Sequence, residues 1–138
     1  MTLNQLFDLS LDLRRDQIAL EWQGCSFTFG ETGARARRMA NALRARGIQQ
    51  GDRVSVQLAN CVESIDLYLA CVRLGAIFVP LNVLYREREV AHILNDAAPR
   101  LFVTRDNLDG LVAEARAASD SRAASSGHTV ELGEPDAF

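Results

Sequence analysis

The sequence offers few residues in a pattern that could do chemistry. All fifteen basic residues are arginine, and lysine is absent. That closes Schiff-base chemistry, a phosphate-loop lysine and a lysine general acid to this chain alone. No Gly-x-Gly-x-x-Gly, phosphate loop, zinc-type Cys/His spacing or Gly-x-Ser-x-Gly elbow occurs. Gly30-Glu31-Thr32-Gly33 is too short for a phosphate cradle and falls inside a predicted helix. The three cysteines, Cys25, Cys61 and Cys71, are an odd number at no metal-ligand spacing. Ten residues along one helix would hold Cys61 and Cys71 roughly 15 Å apart, too far for a bridge, so all three read as small buried hydrophobes. His92 reads as a surface or half-buried histidine, and Ser126-Gly127-His128 is no triad. Arg86-Glu87-Arg88-Glu89 reads as solvated charge at a helix start. No catalytic, cofactor-binding or metal-ligating residue is assigned.

The elements that would position any site are clearer. Residues 3–14 make a short amphipathic helix, and 18–22 and 25–27 a hairpin turning at Gln23-Gly24. Thr28 and Glu31 stand at capping-box spacing and open a helix that runs to Arg46 and stops at Gly47. Ala36, Met39, Ala40 and Leu43 share one arc of about 100°, a single buried face. Arg35, Arg38, Arg46, Arg37 and Arg44 flank that arc and read as a solvated surface.

Val54–Leu58 alternates as a strand. Asn60 with Glu63 caps a helix over 61–74, whose polar arc is narrow: Glu63, Asp66, Ala70 and Arg73. Such a helix is buried on most of its circumference. Gly75 ends it, and Ala76–Val79 is a continuous apolar strand of the kind covered on both faces. A helix over 86–96 turns Val90, Ile93 and Leu94 inward; a strand over 101–104 and a helix over 108–118 follow. Residues 117–128 form a loose Ala/Ser-rich connection, and Thr129–Leu132 begins a further strand. The alternation predicts an α/β fold with a mainly parallel sheet and helices on both faces.

The bulk numbers agree with a globular chain. It has 138 residues, 48% hydrophobic and 24% charged, with net charge −3. That balance disfavours nucleic acid or anionic lipid as a partner. No apolar run is long enough to span a bilayer, and Met1–Gln5 has neither a basic nor an apolar signal region, so the expected location is cytoplasmic. The chain closes shortly after Gly133, Glu134 and Pro135 with nothing like the finish of a packed domain, which suggests a piece of something longer.

A series of segments carries a resemblance. Ser26-Phe27-Thr28-Phe29-Gly30-Glu31 leads to Ala40-Asn41-Ala42-Leu43 and then to Gly47-Ile48-Gln49-Gln50-Gly51-Asp52-Arg53-Val54. Asn60-Cys61-Val62-Glu63, Tyr68–Ala76, Val79-Pro80-Leu81-Asn82, and Glu89 with His92–Asp96 follow in order. Together, over roughly residues 3 to 133, they resemble the opening of the adenylate-forming acyl-CoA synthetases, the AMP-dependent acid–thiol ligases. The resemblance implies that residues 1–138 are an incomplete portion of the large N-terminal domain, with the small C-terminal domain absent.

The same resemblance implies an acid–thiol ligase that uses ATP, Mg2+ and coenzyme A to convert a carboxylic acid to its acyl-CoA through an acyl-adenylate. The family's Ser/Thr/Gly-rich loop ending in lysine has no match here, so no catalytic residue is carried over. The chain alone is expected to bind none of these cofactors and to be inactive. The acid stays open among a medium or long fatty acid, an aryl acid, a small dicarboxylic acid and an amino acid. Two other readings stand beside this one: a non-enzymatic interaction or oligomerisation module derived from the family, and a free-standing nucleotide-binding α/β domain. The last is weakened by the missing glycine cradle.

Overall fold

In a computed structural model, which describes residues 1–126, ten elements follow one another. They are α1 (Leu3–Leu13), β1 (Ile18–Trp22), β2 (Cys25–Thr28), α2 (Phe29–Ala45), β3 (Arg53–Gln57), α3 (Val62–Leu74), β4 (Ile77–Pro80), α4 (Glu87–Ala97), β5 (Leu101–Thr104) and α5 (Arg105–Ser126). The strands β1 and β2 pair antiparallel as a separate hairpin sheet. The strands β3, β4 and β5 form a parallel sheet in the order β4-β3-β5, flanked by helices as the alternation predicted.

Because β4 and β5 lie on opposite sides of β3, the two crossovers run in opposite directions. A single crossover hand then puts α3 on one face and α4 on the other. The packing agrees. Val54 and Val56 of β3 and Val103 of β5 meet Met39 and Leu43 of α2, Leu67 and Cys71 of α3, and Leu108 and Leu111 of α5 in one core, which no α4 residue joins. The buried face predicted for α2, Ala36, Met39, Ala40 and Leu43, is fully realised.

Helix ends follow from local chemistry. Thr2 and Gln5 exchange both bonds of a capping box at α1. At α2 the Thr28 hydroxyl accepts from the Glu31 N–H at 3.1 Å. Thr32 Oγ1 donates to the Thr28 carbonyl at 2.8 Å. The return bond from the Glu31 carboxylate, the other half of the predicted box, is not formed. Gly75 closes α3 at φ +70, a left-handed conformation that a Cβ would disfavour.

Several expectations are corrected. Cys61, and not Asn60, stands at the N-cap of α3, with no side-chain capping bond. Among the described residues β4 is an edge strand, and its Ile77 is exposed rather than covered on both faces. In α4, Val90, Ile93 and Leu94 point inward but none is fully buried. Residues 117–126 are not a loose connection but continue α5. Alanine favours helix, and no glycine or proline interrupts 111–126. The strand expected at Thr129–Leu132 lies outside the described residues.

Candidate functional site

In an open parallel sheet, ligand clefts form at the carboxyl ends of the strands. This chain has such a place. Gln57 at the end of β3 and Thr104 at the end of β5 open onto a cleft of about 800 Å3. The β3–α3 turn, Leu58 to Cys61, forms its floor side, while Trp22, Cys25 and Phe27 of the hairpin overhang it. Val83 and Tyr85 of the β4–α4 loop and Arg105 and Asp106 at the start of α5 complete the rim.

Local hydrogen bonds hold these walls. Gln57 Nε2 donates to the Asn82 carbonyl at 3.0 Å, tying β3 to the β4–α4 loop. Asn82 Oδ1 accepts from the Leu84 N–H at 2.9 Å, a side-chain turn that shapes the same loop. Asn107 accepts from the Thr104 N–H at 2.8 Å and donates to the Phe102 carbonyl at 2.7 Å, which fixes the exit of β5.

Behind the cleft sits a contact that the amphipathic reading missed. Arg35, expected on a solvated flank, is 2% exposed, and Asp66, expected in a polar arc, is 0% exposed. They form a two-pronged ion pair: Nε to Oδ1 at 3.1 Å and Nη2 to Oδ2 at 2.7 Å. The Arg35 guanidinium also lies over the Phe27 ring, 5.0 Å from its centroid, so one side chain joins α2, α3 and the hairpin. Burial pushes the Asp66 carboxyl up to about 6, although the Arg35 hydrogen bond and charge pull it down. Arg38 is buried as well, whereas Arg37, Arg44 and Arg46 are exposed as predicted. The usable signal was the spacing: Arg35 on α2 and Asp66 on α3 each lie beside an apolar face, and neighbouring helices can share a charge pair there.

The other residues weighed for chemistry are scattered. Cys71 is buried, and burial pushes its thiol up to about 12. Cys61 is half-buried, its Sγ 3.3 Å from Ser64 Oγ. Cys25 is exposed, which corrects the expectation of three buried thiols: the short strand β2 turns it outward. His92 is on the surface beside Asp96 at 3.4 Å. Arg86 to Glu89 is exposed at the start of α4, where the Glu89 carboxylate accepts the Arg86 N–H. His128 lies outside the described residues.

These residues do not fit the phosphates of a nucleotide or a magnesium ion. The β3–α3 turn has no glycine to bring backbone N–H groups onto a phosphate. Among the described residues no three His, Cys, Asp or Glu side chains gather to hold a metal. None of the described helices is long and apolar enough to cross a membrane. What the cleft supplies is a shaped wall of aromatic and amide groups, with Glu63, Arg105 and Asp106 also lining it and one buried charge pair behind it.

A family model described as AMP-binding enzyme matches residues 7–136. The acyl-CoA ligase SID4 of Ajellomyces capsulatus is 34% identical over 104 residues, covering 74% of this chain and 18% of that protein. The medium-chain fatty-acid–CoA ligase of Escherichia coli (strain K12) is 38% identical over 88 residues, covering 63% and 16%. The chain thus spans less than a fifth of the length of these curated relatives. Among solved structures, apo MatB from Rhodopseudomonas palustris is 38% identical with a TM-score of 0.69, covering 86% of this chain and 24% of that one.

Proposed function

This chain belongs to the AMP-binding enzyme family, and on that premise we propose that it is the N-terminal scaffold of an ATP-dependent acid–thiol ligase. The match over residues 7–136, with acyl-CoA ligases among the relatives, is the observation that carries the reading. In the proposed reaction a carboxylate attacks the α-phosphorus of ATP, giving an acyl-adenylate and pyrophosphate. The thiol of coenzyme A then attacks the acyl carbon, and AMP leaves as the thioester forms. A cytoplasmic setting goes with this reaction, because ATP and coenzyme A are supplied there.

This chain's share is architectural. It contributes a parallel sheet, the cleft at the carboxyl ends of its strands and the Arg35–Asp66 contact that fixes one wall. The phosphate-binding loop and catalytic lysine come from other polypeptide, so the isolated chain turns over nothing. The absence of lysine and of a glycine-rich phosphate loop supports that part of the reading.

A chimera tests it. The matched segment of Rhodopseudomonas palustris MatB is replaced by this chain, and acid-dependent exchange of pyrophosphate into ATP is measured with the acid that the parent protein uses. Retained exchange in the chimera, with none from the isolated chain, is the expected result. A soluble, folded chimera without exchange refutes the scaffold role, and exchange by the isolated chain refutes its inactivity.

A further inference from the structure

The side of α3 turned away from α2 is apolar where a free-standing domain would be polar. Ile65 is 40% exposed, Tyr68 38%, and Val83 on the neighbouring β4–α4 loop 49%. With Leu58, Phe78 and Leu81 they line a groove of about 620 Å3 between α3 and the outer edge of β4. We infer that this groove is a docking surface for a polypeptide partner, the complementary part of an AMP-binding enzyme domain. The inference rests on the proposed function and adds to it the face through which the scaffold meets the rest of the ligase.

Charge narrows the occupant. None of the described residues lining the groove is charged. A nucleotide, a nucleic acid or an anionic membrane would find nothing to pair with there. An apolar protein face would.

Backbone geometry narrows it again. The Ile77 N–H donates to the Asp52 carbonyl at 2.7 Å and the Leu81 N–H to the Val56 carbonyl at 2.8 Å, so odd-numbered positions of β4 point at β3. The outward positions are 78 and 80, and Pro80 has no N–H to give. The edge is therefore a poor template for strand addition, and the partner must bind by seating side chains in the groove.

The groove is also preformed. Tyr68 meets Phe7 of α1 edge-on at 6.2 Å and Phe78 of β4 edge-on at 5.5 Å, which holds its ring without a partner. Leu58, Ala59, Asn60 and Val83 line both the groove and the cleft, so a partner seated in one would wall the other. The matched region covers only 24% of the MatB chain, so most of such a protein lies outside it and is available to seat in the groove.

Site-resolved labelling separates this claim from the ligase reading. Cysteine is introduced by Ile65→Cys, by Val83→Cys and, as a control on the exposed end of α2, by Ala45→Cys. Maleimide modification is followed by peptide mass spectrometry in the isolated chain and in the MatB chimera. The groove sites should react fast in the isolated chain and roughly tenfold or more slowly in the chimera, with the control unchanged. Protection requires no activity. A folded but inactive chimera with protected groove sites refutes the ligase scaffold and keeps the docking surface. An active chimera whose groove sites stay reactive overturns the docking surface.

A second measurement works on the isolated chain alone. Ile65→Asp with Val83→Asp should leave its melting temperature unchanged, because no described residue covers the groove. A large drop overturns the inference. A concentration-dependent dimer in light scattering that Ile65→Asp abolishes also overturns it, by making a second copy the occupant.

Discussion

Asp66→Asn removes a titrating carboxyl from the α2–α3 contact while keeping its shape. Burial raises the carboxyl from the ordinary 3.8 to about 6 against the pull of Arg35; Glu63 also raises it, and Arg38 lowers it. The folded protein therefore holds this proton more tightly than the unfolded chain does. The stabilisation is fully present below pH 3.8 and is lost as pH rises through about 6. That gap corresponds to on the order of 3 kcal/mol. Asparagine resembles the protonated acid and does not titrate. The stability advantage of the natural protein over Asp66→Asn should thus shrink by about 3 kcal/mol between roughly pH 4 and pH 7. Urea unfolding of both proteins, followed by circular dichroism across that range at fixed ionic strength, measures the difference. The remaining carboxylates are common to both proteins and cancel. An advantage that grows with pH would refute the reasoning, because it would mean that Arg35 outweighs burial and holds the carboxyl below its ordinary value.

Three further outcomes are expected. Arg35→Met alone should cost about 3–5 kcal/mol at neutral pH by stranding a buried carboxylate, whereas Arg35→Met with Asp66→Leu should recover most of that loss; urea titrations of both variants decide. Gly110→Ala should stabilise by about 0.5–1 kcal/mol, since the site is helical and a Cβ there meets nothing within 4 Å. Gly75→Ala should instead cost about 1–2 kcal/mol, because φ is +70 and the new Cβ would lie 2.9 Å from Gln50 Cγ; thermal melts compare the two. Iodoacetamide should modify exposed Cys25 first and reach buried Cys71 only on unfolding, which peptide mass spectrometry after native and denatured labelling will show.

The order of elements was legible because its signals are local. Gln23-Gly24 turns a hairpin, Thr28 caps α2, Gly75 stops α3, and Pro99 separates α4 from β5. Each depends on a few neighbouring residues and survives any tertiary arrangement. The partner of a buried charge is not local. Arg35 and Arg38 flank the apolar arc of α2, and periodicity alone cannot tell a flank that faces water from one that faces another helix. Only the placement of α3 against α2 decides it, and that placement brings Asp66 within 2.7 Å of Arg35. The cleft was illegible for a related reason. Its lining comes from the hairpin, the β3–α3 turn, the β4–α4 loop and the start of α5, segments that no spacing rule connects.

Helix α3 ties the buried pair to the open groove. Its sequence predicts burial over most of its circumference with a narrow polar arc, but only part of that arc is on the surface: Glu63 and Arg73 are half-buried. Asp66 and Ala70 face the core, while Ile65 and Tyr68 face solvent. The burial of a carboxylate is tolerable only with a partner that meets both oxygens, and Arg35 does. Exposure of Ile65 has no such compensation among the described residues. The apolar surface of α3 is thus covered toward the core, through Leu67 and Cys71, and left open at Ile65 and Tyr68. A helix apolar on two sides is what a scaffold requires when its second apolar layer is supplied by further polypeptide: the ion pair sets the rotation of α3 against α2, and that rotation presents Ile65 and Tyr68 to the partner. If so, loosening the pair should disturb the groove before it disturbs the sheet. Hydrogen exchange in Arg35→Met should then rise first along α3, with β3 and β5 still protected. Uniform loss of protection across both would show that α3 and the sheet open as one unit, and that its rotation is set by the core rather than by the charge pair.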